Sequence, residues 1–365
     1  MDITPYLKMM VEQKASDLFL SVGAPAHFKI EGKLVPVREE PQKPDAVKDL
    51  AYSVMSGDQI KDFEETLEAN LAISLPDIGR FRVNVYRQRG EVTMVARYLV
   101  SEIPSIADLG LPSMLEEIIT LQRGLVLVVG TTGSGKSTTM ASMLDHRNRN
   151  TASHIVTIED PLEYMHGHRK SIVDQREVGF DTLSYESALQ NAMREAPDVV
   201  MIGEIRKQET MQQAIAYAET GHLCLSSLHA ANANQAIDRI INFFPESATR
   251  QVLMDLSLNL RAIISQRLVP GSDGKRVVAT EVLLNSSHVR ELIRNGELHM
   301  IKEAMEGGIA RGMHTFDQSL YNLFTKGKIS KEEALKYADS RTDLALKMNL
   351  AGSGGDDSAL GGISI

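Results

Sequence analysis

Cysteine is almost absent from this chain: Cys224 is the one thiol in 365 residues. That excludes an intrachain disulfide and any multi-cysteine zinc site. Cys224 itself lies in the apolar run HLCLSSLH and reads as a small buried hydrophobe. Long apolar runs are missing too; nothing approaches the ~18 residues that a membrane-spanning helix needs. The opening, MDITPYLKMM, carries an acid and lacks the basic-then-apolar layout of a secretory signal, so cytoplasmic residence is the expectation. Basic charge is in short supply: 39 Lys and Arg against 48 Asp and Glu leave a net charge of −9. This speaks against a nucleic-acid-binding surface, though a local basic patch stays open.

What is present is an ordinary soluble composition, 43% hydrophobic and 24% charged. The length exceeds the ~100–200 residues of one domain and predicts two. Residues 1–100 read as an α+β domain. HFKIEGKLVPV forms a hairpin closed near Glu31-Gly32, and FRVNVYRQRGEVTMVARYL a second one turning near Arg89-Gly90. In the latter, Phe81, Val83 and Val85 alternate with Arg82, Asn84 and Tyr86, giving one apolar and one polar face. SEIPSIADLGLP (101–112) has little periodicity and reads as a linker. From 113 to 345 the apolar runs LVLVV, HIVTI, DVVMI, HLCLSSL and VVATEVLL alternate with helical stretches, which predicts α/β architecture around a parallel sheet covered on both faces, followed by C-terminal helices. The glycine- and serine-rich end, 346–365, reads as a disordered tail.

GTTGSGKSTT (130–139) matches G-x-x-x-x-G-K-[ST] through Gly130, Gly135, Lys136 and Ser137. A strand precedes it and a helix follows. Backbone N–H groups of such a loop turn inward on phosphate oxygens, and the helix N-terminus adds positive potential. Thr132, Gly133, Ser134, Gly135, Lys136, Ser137 and Thr138 are the expected nucleotide contacts, with Lys136 on the β- and γ-phosphates and the Ser137 hydroxyl on Mg²⁺.

Further acids fall at strand ends. DVVMIGEIR puts Glu204 just past a strand, on the side where ligands of α/β sheets bind. There it is near the γ-phosphate if its strand neighbours the cradle strand, placed to orient water and take its proton. The alternative is a surface glutamate paired with Arg206. TIEDPLEY brings Glu159, Asp160 and Glu163 to the same edge; a solvated acidic turn is the alternative. His222 and His229 bracket the run LCLSSL, and only His229 lies at the nucleotide end.

The cradle, TIEDPLEY, MREAPDVVMIGEIR and ETGHLCLSSLHAANA come in the order that resembles the secretion ATPase superfamily, the hexameric motors of type II and type IV secretion and of type IV pili. DQREVGFDT, ESALQNAMRE, IDRIINFFPE and the opening ASDLFLSVGAPAHFKIEGKLVPV are similar to its PilT/PilU branch, the pilus retraction ATPases, and the likeness covers residues 3–345. The resemblance implies an N-terminal PAS-like domain, a RecA-like P-loop ATPase domain and a homo-hexamer using ATP and Mg²⁺. It implies that Glu204 is the catalytic carboxylate, Glu159 and Glu163 acidic-box residues, and His229 a phosphate-proximal histidine. It implies that Arg82 and Arg97 of the first domain, with Arg80 a weaker candidate, cover the phosphates. HVRELIRNGE departs from the helix motif A-I-R-N-L-I-R-E of that branch at His288 and Glu291. With the Ala-Ala after His229 and the glycine-rich end, this points to the accessory, PilU-type members. The expected role is a pilus retraction ATPase in twitching motility, cytoplasmic and peripheral at the inner membrane. Its partners would be a PilT-like paralogous motor and the inner-membrane platform protein, and no nucleic acid. The alternatives are a catalytically weak coupling subunit or a DNA-uptake or secretion ATPase. With Cys224 alone, the chain cannot build the four-cysteine zinc module usual in assembly-type relatives.

Overall fold

A computed structural model describes residues 2–76, 78–99, 102–309 and 312–353. The chain divides into two units: residues 1–102 with 162–167, and residues 103–161 with 168–365. Among the described residues no helix is long and apolar enough to cross a membrane.

The first unit runs α1 (Thr4–Glu12), β1 (Asp17–Leu20), β2 (Pro25–Ile30), β3 (Lys33–Pro41), α2 (Pro44–Tyr52), α3 (Gly57–Thr66), β4 (Glu68–Leu75), β5 (Gly79–Gln88) and β6 (Glu91–Leu99). Its six strands form one sheet in the order β3-β2-β1-β6-β5-β4. Both expected hairpins are there. Their two-residue turns, Glu31-Gly32 and Arg89-Gly90, have positive φ throughout, the mirror-image turn whose twist matches that of the strands. Alternation sorts the faces. Phe81, Val83, Val85, Met94 and Ala96 are buried with Leu7, Leu50 and Phe63 of the helices. Arg82 and Arg97 stand on the other face, directly opposite each other across β5 and β6.

The second unit begins with α4 (Met114–Ile119), β7 (Gly124–Val129), α5 (Lys136–Asn150), β8 (His154–Glu159), β9 (Ile172–Glu177), α6 (Tyr185–Ala192) and β10 (Val199–Ile202). It continues with α7 (Gln208–Glu219), β11 (Leu223–Leu228), α8 (Ala233–Ile241), α9 (Thr249–Asn259), β12 (Leu260–Pro270), β13 (Arg276–Leu284) and α10 (Ser287–Asn295). It closes with α11 (Ile301–Glu306), α12 (Phe316–Thr325), α13 (Lys331–Tyr337) and α14 (Arg341–Ser353). The sheet order is β13-β12-β7-β11-β10-β8-β9, with every neighbouring pair parallel except β12 and β13. The apolar strands feed two cores. Leu125, Leu127 and Val129 pack with α6, α7, α8 and α9 on one face; Val126 and Val128 pack with α4 and α5 on the other.

Residues 103–112, read as a linker, group with the second unit, because Ile106 and Leu111 are buried in that second core. The start of the supposed tail is helical as well. α14 runs to Ser353, anchored by buried Leu344 and Met348 against Phe316 and Leu320; residues 354–365 lie outside the described residues.

Glu281 is an acid inside this core. On β13 it is 2% exposed, and its Oε1 accepts from the Ala233 N–H at 2.8 Å and from Ser265 Oγ at 3.1 Å. Burial pushes its carboxyl up to about 7, against those two bonds. A carboxyl raised on folding holds its proton longer in the native state, so its contribution to stability declines as pH rises from about 4.5 to about 7. Glu281→Gln should remove that dependence. Between pH 5 and pH 8 the stability of the variant relative to the wild type should rise by roughly 3 kcal/mol, measured by urea unfolding at each pH.

Candidate nucleotide site

β7 ends at Val129 and α5 begins at Lys136, so the glycine-rich loop fills the gap between the sheet's carboxyl edge and a helix N-terminus. Gly135 is the N-cap and adopts φ 92°, a left-handed conformation that glycine takes at little cost. Gly130 is required for space: a Cβ there would lie 2.4 Å from Ser134 Oγ and 2.8 Å from the Gln266 carbonyl. No side chain caps α5 and no acid lies in its first turn. Its leading N–H groups lie at the end of a helix where phosphate binds. Ser134 Oγ is buried with no hydrogen-bond partner, a further polar atom at the cradle.

Lys136 organises what stands above the loop. Its three ammonium hydrogens go to the carbonyls of Gly130 (2.9 Å) and Thr131 (3.1 Å) and to Nδ1 of His229 (3.5 Å). An ammonium can only donate, so Nδ1 accepts from it, and Nε2 lies 2.9 Å from Oε1 of Glu204. Burial depresses the Lys136 ammonium, and Glu204 nearby offsets part of that shift. The other Glu204 oxygen accepts from Arg206 Nη2 at 2.7 Å. Glu204 thus reaches the cradle lysine through His229 and also pairs with Arg206.

The strand adjacency on which the sequence reading of Glu204 was conditional is not met. β10 does not neighbour β7; β11 lies between them. Glu204 meets the cradle lysine through His229, which sits just past the end of the inserted strand. Two serines fasten this edge. Ser226 Oγ donates to the Ile202 carbonyl and Ser227 Oγ to the Gly203 carbonyl, both at 2.7 Å, while the Ile205 N–H donates to the Ser227 carbonyl at 2.9 Å. Gly203 is wedged against β8: a Cβ would fall 3.1 Å from the Tyr185 hydroxyl and 3.3 Å from Glu159 Cα.

The acidic-box residues differ in burial. Glu159 is buried at the end of β8, where its Oε1 accepts from Thr157 Oγ1 at 2.7 Å and Gln175 Nε2 at 3.3 Å. Asp160 is exposed. Burial, then Asp160 and Glu159, pushes the Tyr185 phenol upward, so it stays a neutral hydroxyl beside these acids. Glu163 is exposed and belongs to the segment grouped with the first unit. Ser137 and Thr138 lie in the first turn of α5, with Ser137 exposed. Among the described residues no group of three or more His, Cys, Asp or Glu is placed to hold a metal. Mg²⁺ fits a hydroxyl ligand such as Ser137 when phosphate oxygens and water complete its shell.

The arginines occupy the first unit. Arg97 Nε contacts Oδ1 of Asp17 at 2.7 Å, and Asp17 is nearly buried while Arg97 is mostly exposed. Arg82, opposite Arg97, takes no ion-pair partner among the described residues. Sequence reading missed Asp17, Gln266, Ser226 and Ser227. Gln266 donates to Thr139 Oγ1 of α5 at 2.9 Å. Its signal was a polar residue interrupting the apolar run AIISQRLV, a run that was itself passed over.

A family profile described as Type II/IV secretion system protein matches residues 1–304. The chain belongs to this secretion system family. It is 51% identical over 351 residues to the type IV pilus ATPase PilU of Pseudomonas aeruginosa, covering 96% of this chain and 92% of that one. The type IV pilus retraction ATPase PilT of the same organism is 40% identical over 338 residues, with 93% and 98% covered. The crystal structure of the pilus retraction motor PilT with bound ADP matches with a TM-score of 0.88 at 42% identity, over 95% of this chain and 99% of that one. Within the family, the cradle and its lysine make a direct forecast. Lys136→Ala should weaken ADP binding by roughly 10–100-fold, the loss of one charge-assisted phosphate contact, in a titration with a fluorescent ADP analogue. Unchanged affinity would remove this loop from the site.

Proposed function

We propose that the chain is an ATP-hydrolysing motor of type IV pilus retraction, of the PilU type, working beside a PilT-like paralogue. The observation that carries this reading is the relay from Lys136 through His229 to Glu204 at the mouth of the cradle, in a chain 51% identical to PilU. In this reading the first unit is PAS-like and the second RecA-like. The working state is a homo-hexamer, cytoplasmic and peripheral at the inner membrane, acting on the pilus platform protein.

Lys136 and the leading N–H groups of α5 hold the phosphates, with Thr132, Gly133, Ser134, Gly135 and Thr138 completing the cradle. Ser137 would hold Mg²⁺, which supplies charge neutralisation at the phosphate oxygens when bound. Glu204 orients water and takes its proton. For that, the exposed Arg206 is the partner that gives up its oxygen, since His229 is fixed by Lys136. Glu163 and Glu159 serve as acidic-box residues on the water side. Arg82 and Arg97 meet the charge that develops on the transferred group, where a planar, permanently charged fork is suited to phosphate. A second reading, a coupling subunit with weak turnover, draws on the engagement of both Glu204 oxygens.

Steady-state ATP hydrolysis separates the two. Glu204→Gln should lower kcat by about 10²-fold or more with ADP affinity kept, as for loss of a general base. Arg82→Ala should lower kcat on the order of 10³-fold, the scale of a phosphate-facing arginine. A wild type with no turnover above that of Glu204→Gln favours the coupling subunit. In cells, a deletion strain assayed for pilus retraction with and without the paralogous motor tests the biological role; retraction unaffected in both backgrounds would overturn it.

A further inference from the structure

Three consecutive residues of β12 reach three different parts of the second unit. Ser265 Oγ donates to Glu281, Gln266 donates to Thr139 of the cradle helix, and Arg267 turns toward the C-terminal helices. The Arg267 guanidinium is shared. Nη1 donates to the Tyr337 carbonyl at 2.7 Å, at the end of α13. Nη2 meets Asp339 Oδ1 at 2.6 Å and reaches the Ala231 carbonyl at 3.5 Å. The Phe316 ring, at the start of α12, lies under it at 3.8 Å.

Ala231 belongs to the four-residue connection His229-Ala230-Ala231-Asn232 between β11 and α8. That connection is held from the same hairpin at its far end, where the Ala233 N–H donates to Glu281. Asp339 is held in turn: the Asp317 carboxylate accepts from the N–H groups of Asp339 (2.8 Å) and Ser340 (3.1 Å) and pairs with Lys302 at 3.6 Å. A planar fork cannot follow Tyr337 and Asp339 without changing its hold on Ala231. The C-terminal helices and the connection that follows the histidine touching the cradle lysine therefore share one guanidinium.

We propose that Arg267 is a positioning residue for His229, and that the C-terminal helices set its place through Asp339. This rests on reading the site as hydrolytic, where a displaced His229 releases Glu204 from its orientation. It makes the C-terminal layer a lever on hydrolysis: whatever moves that layer in the assembled motor alters turnover without touching the nucleotide.

The test uses the full chain with Asp339→Ala, Asp339→Asn and Arg267→Lys. By hydrogen–deuterium exchange, peptides spanning 229–233 should exchange about tenfold faster in Asp339→Ala and Arg267→Lys, with β7 peptides unchanged, because a local restraint and not the global fold is lost. Asp339→Asn, which keeps an acceptor, should restore most of the protection. kcat should fall about tenfold at nearly unchanged ADP affinity, and the double variant should be no worse than Arg267→Lys alone, as expected for one shared interaction. Wild-type exchange at 229–233 in Asp339→Ala would overturn the proposal, as would effects of the two sites that simply add. If Arg267→Lys fails to fold, Asp339→Ala decides alone. If the wild type shows no turnover, the hydrolytic reading fails while the exchange data still decide the coupling.

Discussion

The site depends on where one ammonium group can find acceptors. Lys136 is half-buried at a helix start, and burial disfavours its charge. Two loop carbonyls and a histidine nitrogen accept its hydrogens, and Glu204 offsets part of the shift. These partners come from three pieces of chain, and each piece arrives at the same sheet edge because neighbouring strands run parallel. Displacing any one strand by a residue would turn its terminal side chain away. The two serines of β11 guard against that for Glu204, by closing hydrogen bonds on the carbonyls that precede it.

Much of this was legible in the sequence. The cradle needed only its spacing and context, since a strand before and a helix after leave few conformations for a glycine-rich turn. The hairpins of the first unit were equally plain, from alternation and from turn residues at 31–32 and 89–90. Strand order was not legible. Apolar runs buried on both faces look alike, so nothing in DVVMI or HLCLSSL said which lay next to LVLVV; it is HLCLSSL. β12 escaped notice because its polar residues, Ser265, Gln266 and Arg267, interrupt the run that marks a strand. Those same residues contact the cradle helix, the histidine connection and the C-terminal helices.

The linker and the tail illustrate a second limit. Composition predicted irregular chain at 101–112, which the described residues there keep, and from 346, where a helix continues to Ser353; in both, tertiary burial held apolar residues in a core. Ile106, Leu111, Leu344 and Met348 are each at most 7% exposed. Glycine and proline content describes local freedom; it carries no information on whether a neighbouring core has room for an isoleucine.

The first unit carries a feature with a different consequence. Register places Lys29, Asp17, Arg97 and Arg82 side by side in one row across four strands, on a single face of the sheet. The row holds three cations and one acid, Asp17 pairs with Arg97, and the like charges of Arg97 and Arg82 directly opposite work against the pairing of their strands. Dissolved salt screens that strain over about 8–10 Å, so ionic strength acts on this sheet as a stabiliser in its own right. Any polyanion lying along the row would do the same more locally. The sheet is thus folded at some electrostatic disadvantage until a counter-charge arrives, and its rigidity becomes a property of the surrounding solution as much as of its core.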